Sequence, residues 1–207
     1  MKFYVLASLI VFIWIIMHNL RRSRRIQNEA ERTFWERERL ANETRRKPLD
    51  HLDYIRIPLE ELPMHVMETD PETAGCLQII NELSLQPIVN LTGFTNTDLK
   101  LEYGTANITT LAEYDQSYTL LANTLQTWAN RLYQSGYTEE TQKILEFAIS
   151  TRTDVTASYD LLADLYLQKG QTDRIPKLIE TAETLKSLSK NVILRHLQEK
   201  LNQTSPS

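Results

Sequence analysis

The side chains able to do chemistry are few in this chain and far apart. The four histidines are His18, His51, His65 and His196. No two of them have the four-residue spacing that would set a pair of imidazoles on one helix face to hold a metal. The single cysteine, Cys76, excludes a disulfide or a thiolate cluster within one chain, and in its apolar stretch it reads as a small core residue. The sequence holds no phosphate-binding glycine loop, no G-x-G-x-x-G and no G-x-S-x-G. Carboxylates such as Glu139-Glu140 read as solvated helix starts. Asn-x-Thr sequons occur at Asn42, Asn90, Asn107 and Asn202, and they matter only for a chain exposed outside the cytoplasm. This inventory predicts a binding protein rather than an enzyme, with no cofactor and no metal.

The charges are more informative than the reactive groups. Hydrophobic residues make up 42% of the chain and charged residues 24%, a balance that predicts a folded protein rather than a disordered one. The net charge of −4 conceals an asymmetry: Arg21 to Lys47 carries ten basic and five acidic residues, whereas residues 48–207 carry −10. Ahead of this basic collar, Phe3 to Leu20 contains no charged residue. Eighteen helical residues rise roughly 27 Å, about the depth of a bilayer core. A cleaved signal peptide would place its positive charge before the apolar run and small residues after it. Here Arg21, Arg22, Arg24 and Arg25 follow the run, so an uncleaved single-pass anchor is the favoured reading. Those arginines set the expected topology: N-terminus outside, C-terminal domain cytoplasmic, in a plasma (inner) membrane. Residues 3–20 are then the contact with the lipid bilayer. A topological role for the arginines leaves no nucleic-acid partner expected.

The elements that must position any site are helical. Five glycines and seven prolines in 207 residues disfavour a turn-rich β fold. The order expected is a transmembrane anchor over 1–20 and a basic juxtamembrane helix over 21–47. A connector punctuated by Pro48, Pro58 and Pro63 covers 48–70, and a helical domain covers 71–207. Asp70-Pro71-Glu72 is a helix start, with a capping side chain, proline at the first helical position and an acid in the first turn. The connector either packs along the body or docks a partner. For Leu99 to Tyr103 a short helix is favoured over a strand, and a helical pattern from Ile108 to Ser135 is expected to break near Asp115–Ser117. Self-association through the anchor or collar is also open.

Within the helical domain the chain repeats itself. Gly136 and Gly170 stand 34 residues apart, and Trp128 to Gly136 aligns with Leu162 to Gly170. Ile144-Leu145-Glu146 falls on Leu178-Ile179-Glu180, and Ala148 falls on Ala182. Such a period marks stacked helix–turn–helix units that cannot bury their apolar faces alone. The pattern resembles the tetratricopeptide repeat family, with units at about 122–155 and 156–189 and a closing helix at about 190–202. More generally the chain is similar to bacterial membrane-anchored proteins of that kind. The family's small residue in the first helix is matched by Ala129 and Ala163, its large residue three further on by Leu132 and Tyr166, and its turn glycine by Gly136 and Gly170. Its small residue late in the second helix is matched by Ala148 and Ala182. Thr141 and Ile175 depart from the alanine usual there.

The resemblance implies an all-α fold: a single N-terminal transmembrane helix, then a right-handed array of helical hairpins with capping helices. It implies a scaffold or adaptor that binds a protein or peptide partner in a groove lined by the first helix of each unit. Carried onto this sequence, that groove comprises Asn123, Gln126, Asn130, Asp160 and Asp164. The two aspartates predict a preference for neutral or basic segments, since an acidic peptide would meet like charge. The alternative expectation is an extracytoplasmic helper of envelope-protein assembly or secretion with the same fold.

Overall fold

The computed structural model describes residues 2–204, and all of its regular structure is helical apart from one isolated antiparallel bridge between Tyr54 and Val89. Eight α-helices follow in order: α1 (Lys2–Glu43), α2 (Pro71–Ser84), α3 (Asn96–Tyr103), α4 (Ile108–Gln134), α5 (Thr138–Ser150), α6 (Thr156–Gln168), α7 (Ile175–Glu183) and α8 (Lys190–Thr204). Short 3-10 turns at Thr105–Asn107 and Thr172–Arg174 lead into α4 and α7. The chain forms two compact units. One joins the chain through Pro48 to Thr95–Ile108, and the other comprises Leu49–Phe94 and everything from Thr109 onward.

The expected membrane anchor requires correction. Among the described residues no helix is long and apolar enough to cross a membrane. The side chains of 1–11, 13, 15 and 19, where much of the apolar run falls, lie outside the described residues. What is described of α1 reaches Arg21, Arg22, Arg24 and Arg25 immediately after the exposed Trp14, Ile16, Met17 and Leu20. The helix continues through those arginines without interruption to Glu43. The single-pass topology and the plasma-membrane assignment built on that run are therefore withdrawn.

In the first unit the C-terminal end of α1 is fastened to α3 by polar contacts. Glu38 accepts hydrogen bonds from Lys100 and, at 2.7 Å, from the Thr97 hydroxyl, and these donors hold its carboxyl below the usual range. Arg37 pairs with Asp98. Asp98 also closes a reciprocal cap with Thr95: Thr95 Oγ1 accepts from the Asp98 backbone N–H at 3.2 Å, and Asp98 accepts from the Thr95 N–H at 2.9 Å. Ala41 is wholly buried here. Behind these pairs sits Asn107, fully buried, whose amide donates to the carbonyls of Lys47 and Tyr103, each at 2.7 Å. Its Oδ1 accepts from Arg46 Nε at 3.0 Å. Lys47 N–H donates to the Tyr103 carbonyl at 3.0 Å, which commits the backbone after α1 to pairing and ends that helix ahead of Lys47-Pro48.

In the second unit the connector packs on the body. Leu62 enters the core, and Ile55, Ile57, Leu59, Met64 and Val66 line up against it. Ile55 N–H donates to the Ile88 carbonyl at 2.9 Å beside the Tyr54–Val89 bridge. Asp70 caps α2 through the Thr73 N–H at 3.1 Å and also receives Arg131 of α4, with Nε at 3.0 Å. Arg131 first, then the Thr73 N–H, holds this carboxyl well below the usual range. The expected break at Asp115–Ser117 is absent, and α4 runs unbroken for 27 residues. The polar residues there are satisfied without it: Ser117 donates to its own helix at Glu113 O, and Asp115 accepts the Leu91 N–H at 3.2 Å.

Candidate functional site

The two hairpins α4–α5 and α6–α7 repeat in atomic detail. Gly136 and Gly170 both take positive φ, at 86° and 68°. At the first, Gly136 N–H donates to Tyr133 O and Tyr137 N–H to Leu132 O, each at 3.0 Å. At the second, Gly170 N–H donates to Leu167 O and Gln171 N–H to Tyr166 O, at 3.1 and 2.8 Å. Each pair is the double C-terminal cap that a left-handed glycine permits. Leu125 and Tyr159, Trp128 and Leu162, and Ala129 and Ala163 are all wholly buried, as are Leu132, Leu145 and Ala182. Small side chains at 129 and 163 allow close helix approach, so any added methylene there would overpack the crossing.

Thr141 stands where alanine is expected from the resemblance, and it fits. It is fully buried, and its hydroxyl turns back onto its own helix at Tyr137 O, 2.7 Å away. Ile175 is likewise wholly buried. Tyr166 donates to Glu146 at 2.9 Å, and burial followed by that carboxylate pushes its hydroxyl pKa up to about 12. Glu146 also accepts from Arg174 and Gln142, each at 2.8 Å, tying α5 to the start of α7 and to its own preceding turn. Glu139, at the start of α5, receives Lys169 at 2.8 Å.

The five expected groove residues fall into two groups. On α4, Asn123 and Asn130 are exposed and Gln126 is half-buried. Gln126 donates to Asn130 Oδ1 at 2.8 Å and accepts from Ser158 of α6 at 2.5 Å, so the amide row bridges the two first helices. The exposed α4 stripe around it, Thr119, Asn123, Thr127 and Asn130, carries no charge.

On α6, Asp160 and Asp164 are not free. His196 Nδ1 of α8 lies 3.0 Å from Asp160 Oδ2, and Lys200 of α8 pairs with Asp164. The preference for neutral or basic segments expected from these two aspartates therefore loses its basis, because His196 and Lys200 of α8 already engage them from within the chain. Sequence reasoning placed His196 apart from any partner. The signal that would have found it is spacing: 160 to 196 and 164 to 200 are both 36 residues, close to the repeat length.

The other expected positions separate from this face. Arg21, Arg22, Arg24 and Arg25 are exposed along α1 in the first unit. Among the sequons, Asn107 is wholly buried, and the Asn90 amide is engaged by the carbonyls of Thr151 and Arg152 at 2.9 and 3.0 Å. No family model, curated protein or solved structure matches the chain.

Proposed function

We propose that the chain is a protein-binding scaffold of the tetratricopeptide type, a right-handed array of helical hairpins that holds a partner segment against its first helices. One observation carries this reading. The positions 125/159, 128/162, 129/163, 132/166 and 148/182, each pair 34 residues apart, are buried in both hairpins, and both turns carry the same glycine cap. An array of this kind stacks like faces and so leaves one continuous face on its first helices. The binding surface is the uncharged row on α4, Asn123, Gln126 and Asn130, with the buried Ser158 of α6 holding the Gln126 amide in place. Side-chain amides offer both donors and acceptors, so the row suits the backbone of an extended peptide better than a charged side chain. Asp160 and Asp164 contribute to the array's own closure through α8 and are left out of the recognition surface.

The test is site-specific photo-crosslinking on the full chain in its native cells. A crosslinking residue placed at Asn123 or Asn130 should capture the same protein, while one at the exposed Lys143 of α5 should not. Equal capture at all three positions, or a partner taken only at Lys143, would remove this reading.

A further inference from the structure

We propose that α8 exchanges between two copies of this chain, each copy's α6–α7 face taking the α8 of the other as it takes its own. The proposal does not depend on what the α4 face binds. α8 is the last element and packs against α6 and α7. It buries Ile193 and Leu197 completely, with Leu194 and Leu201 packed beside them. It sets His196 on Asp160 and Lys200 on Asp164. A face that accommodates this helix in one chain accommodates the identical helix of a second copy by the same contacts. Closed and exchanged forms therefore differ only in the tether, the short segment from Thr184 to Ser189.

The tether carries two features that the closed form leaves without use. Leu188 is wholly exposed, and the Ser187 hydroxyl is buried with no hydrogen-bond partner. Leu185 and the stacking of Lys186 on Phe94, 4.6 Å from the ring centre, anchor the segment's first half, so its second half is the hinge. In an exchanged pair the two hinges run past each other, and Leu188 of each copy gains an apolar neighbour. The closed form retains the tether's advantage, an effective concentration on the order of millimolar. The exchanged form therefore grows with protein concentration and with anything that weakens the pairing within one chain.

That dependence supplies the experiment. Full-length Asp164→Lys faces its own Lys200 with like charge, and full-length Lys200→Asp faces its own Asp164 with like charge. Mixed one to one, each variant's α8 complements the other's α6. Light scattering at low salt should find at least a ten-fold larger dimer fraction in the mixture than in either variant alone. Leu188→Ser in both chains should reduce that fraction. The double variant Asp164→Lys/Lys200→Asp, which restores the pair within one chain, should behave as the wild type does. A mixture equal to the average of its components overturns the proposal. So does a dimer of equal strength in every sample, the result expected if α1 or another surface joined the copies. Should the single variants not fold, native mass spectrometry of light and heavy-isotope wild-type chains at about millimolar concentration decides. Mixed dimers support the exchange, and monomers alone refute it.

Discussion

The hairpins α4–α7 and the packed end of the first unit are both helical, yet opposite kinds of contact hold them. In the hairpins most of the repeated positions are apolar or small and buried, and polar groups mostly finish helix ends. Among the described residues of the first unit Ala41 and Leu99 are the only buried hydrophobic ones, and the joint is made by Asn107, the Glu38–Lys100 pair and the Thr95–Asp98 cap. The charges divide accordingly. The first unit has twelve basic against seven acidic residues, and the second has eleven against twenty. Apolar burial is non-directional and tolerates small readjustments, whereas a buried amide with three fixed partners does not. The second unit should therefore lose stability in proportion to volume removed, and the first should fail on the loss of single polar atoms.

The largest effect expected from that contrast is at Trp128, fully buried in the core of the second unit. Trp128→Ala should cost about 3–5 kcal/mol in a denaturant titration. A loss under about 1 kcal/mol would show that the hairpins do not depend on this core.

Next comes Asn107. Asn107→Ala takes the side-chain donor from the Lys47 carbonyl and one of two donors from the Tyr103 carbonyl, and should cost about 1–3 kcal/mol locally. Hydrogen exchange resolved by segment should show protection lost over 95–107. Unchanged protection there would break the comparison at its polar side.

Two glycines sharpen the contrast further. A Cβ at Gly104 would meet the Arg45 carbonyl and the backbone of Arg46, whereas one at Gly136 meets open space, although both residues have φ near +87°. Gly136→Ala should cost only the left-handed penalty, about 1–2 kcal/mol. Gly104→Ala should cost clearly more, read as lost helicity or lost soluble yield. Equal costs would mean that the close approach to Arg45 carries no energy.

Acid provides a gentler probe. The Asp70 carboxyl is depressed in the folded chain, so its contribution is present above the unfolded value of about 3.9 and is lost as pH falls toward its lower folded value. The wild type should lose stability on acidification through that window, and Asp70→Asn should lose less. Parallel acid profiles for the two proteins would contradict the role given to Arg131. The smallest effect should be Thr141→Ala, within about 1 kcal/mol, because the hydroxyl removed bonds only to carbonyls of its own hairpin.

The regions differ in legibility for the same physical reason that they differ in energetics. Gly136, Gly170, Ala129 and Ala163 announce themselves because a left-handed cap and a close helix crossing restrict residue type at one position, whatever lies elsewhere in the chain. Asp70-Pro71 is equally local, and the helix starts there. The α4 break failed as an expectation because Asp115 found a partner in Leu91, a contact outside its own helix. The anchor reading rested on an apolar run and the arginines after it, and no helix among the described residues is long and apolar enough to span a membrane.

By itself, then, the sequence determined an all-α chain with a 34-residue repeat and set its turns and its small-residue crossings, all of them short-range backbone and steric constraints. The tertiary structure alone decided that the connector packs on the body and that Asn107 joins Lys47 to Tyr103. It also decided that Asp160 and Asp164 are matched by His196 and Lys200. Each of these is a pairing across tens of residues, where the partner of a polar group is chosen by which helices pack together and not by the residues beside it.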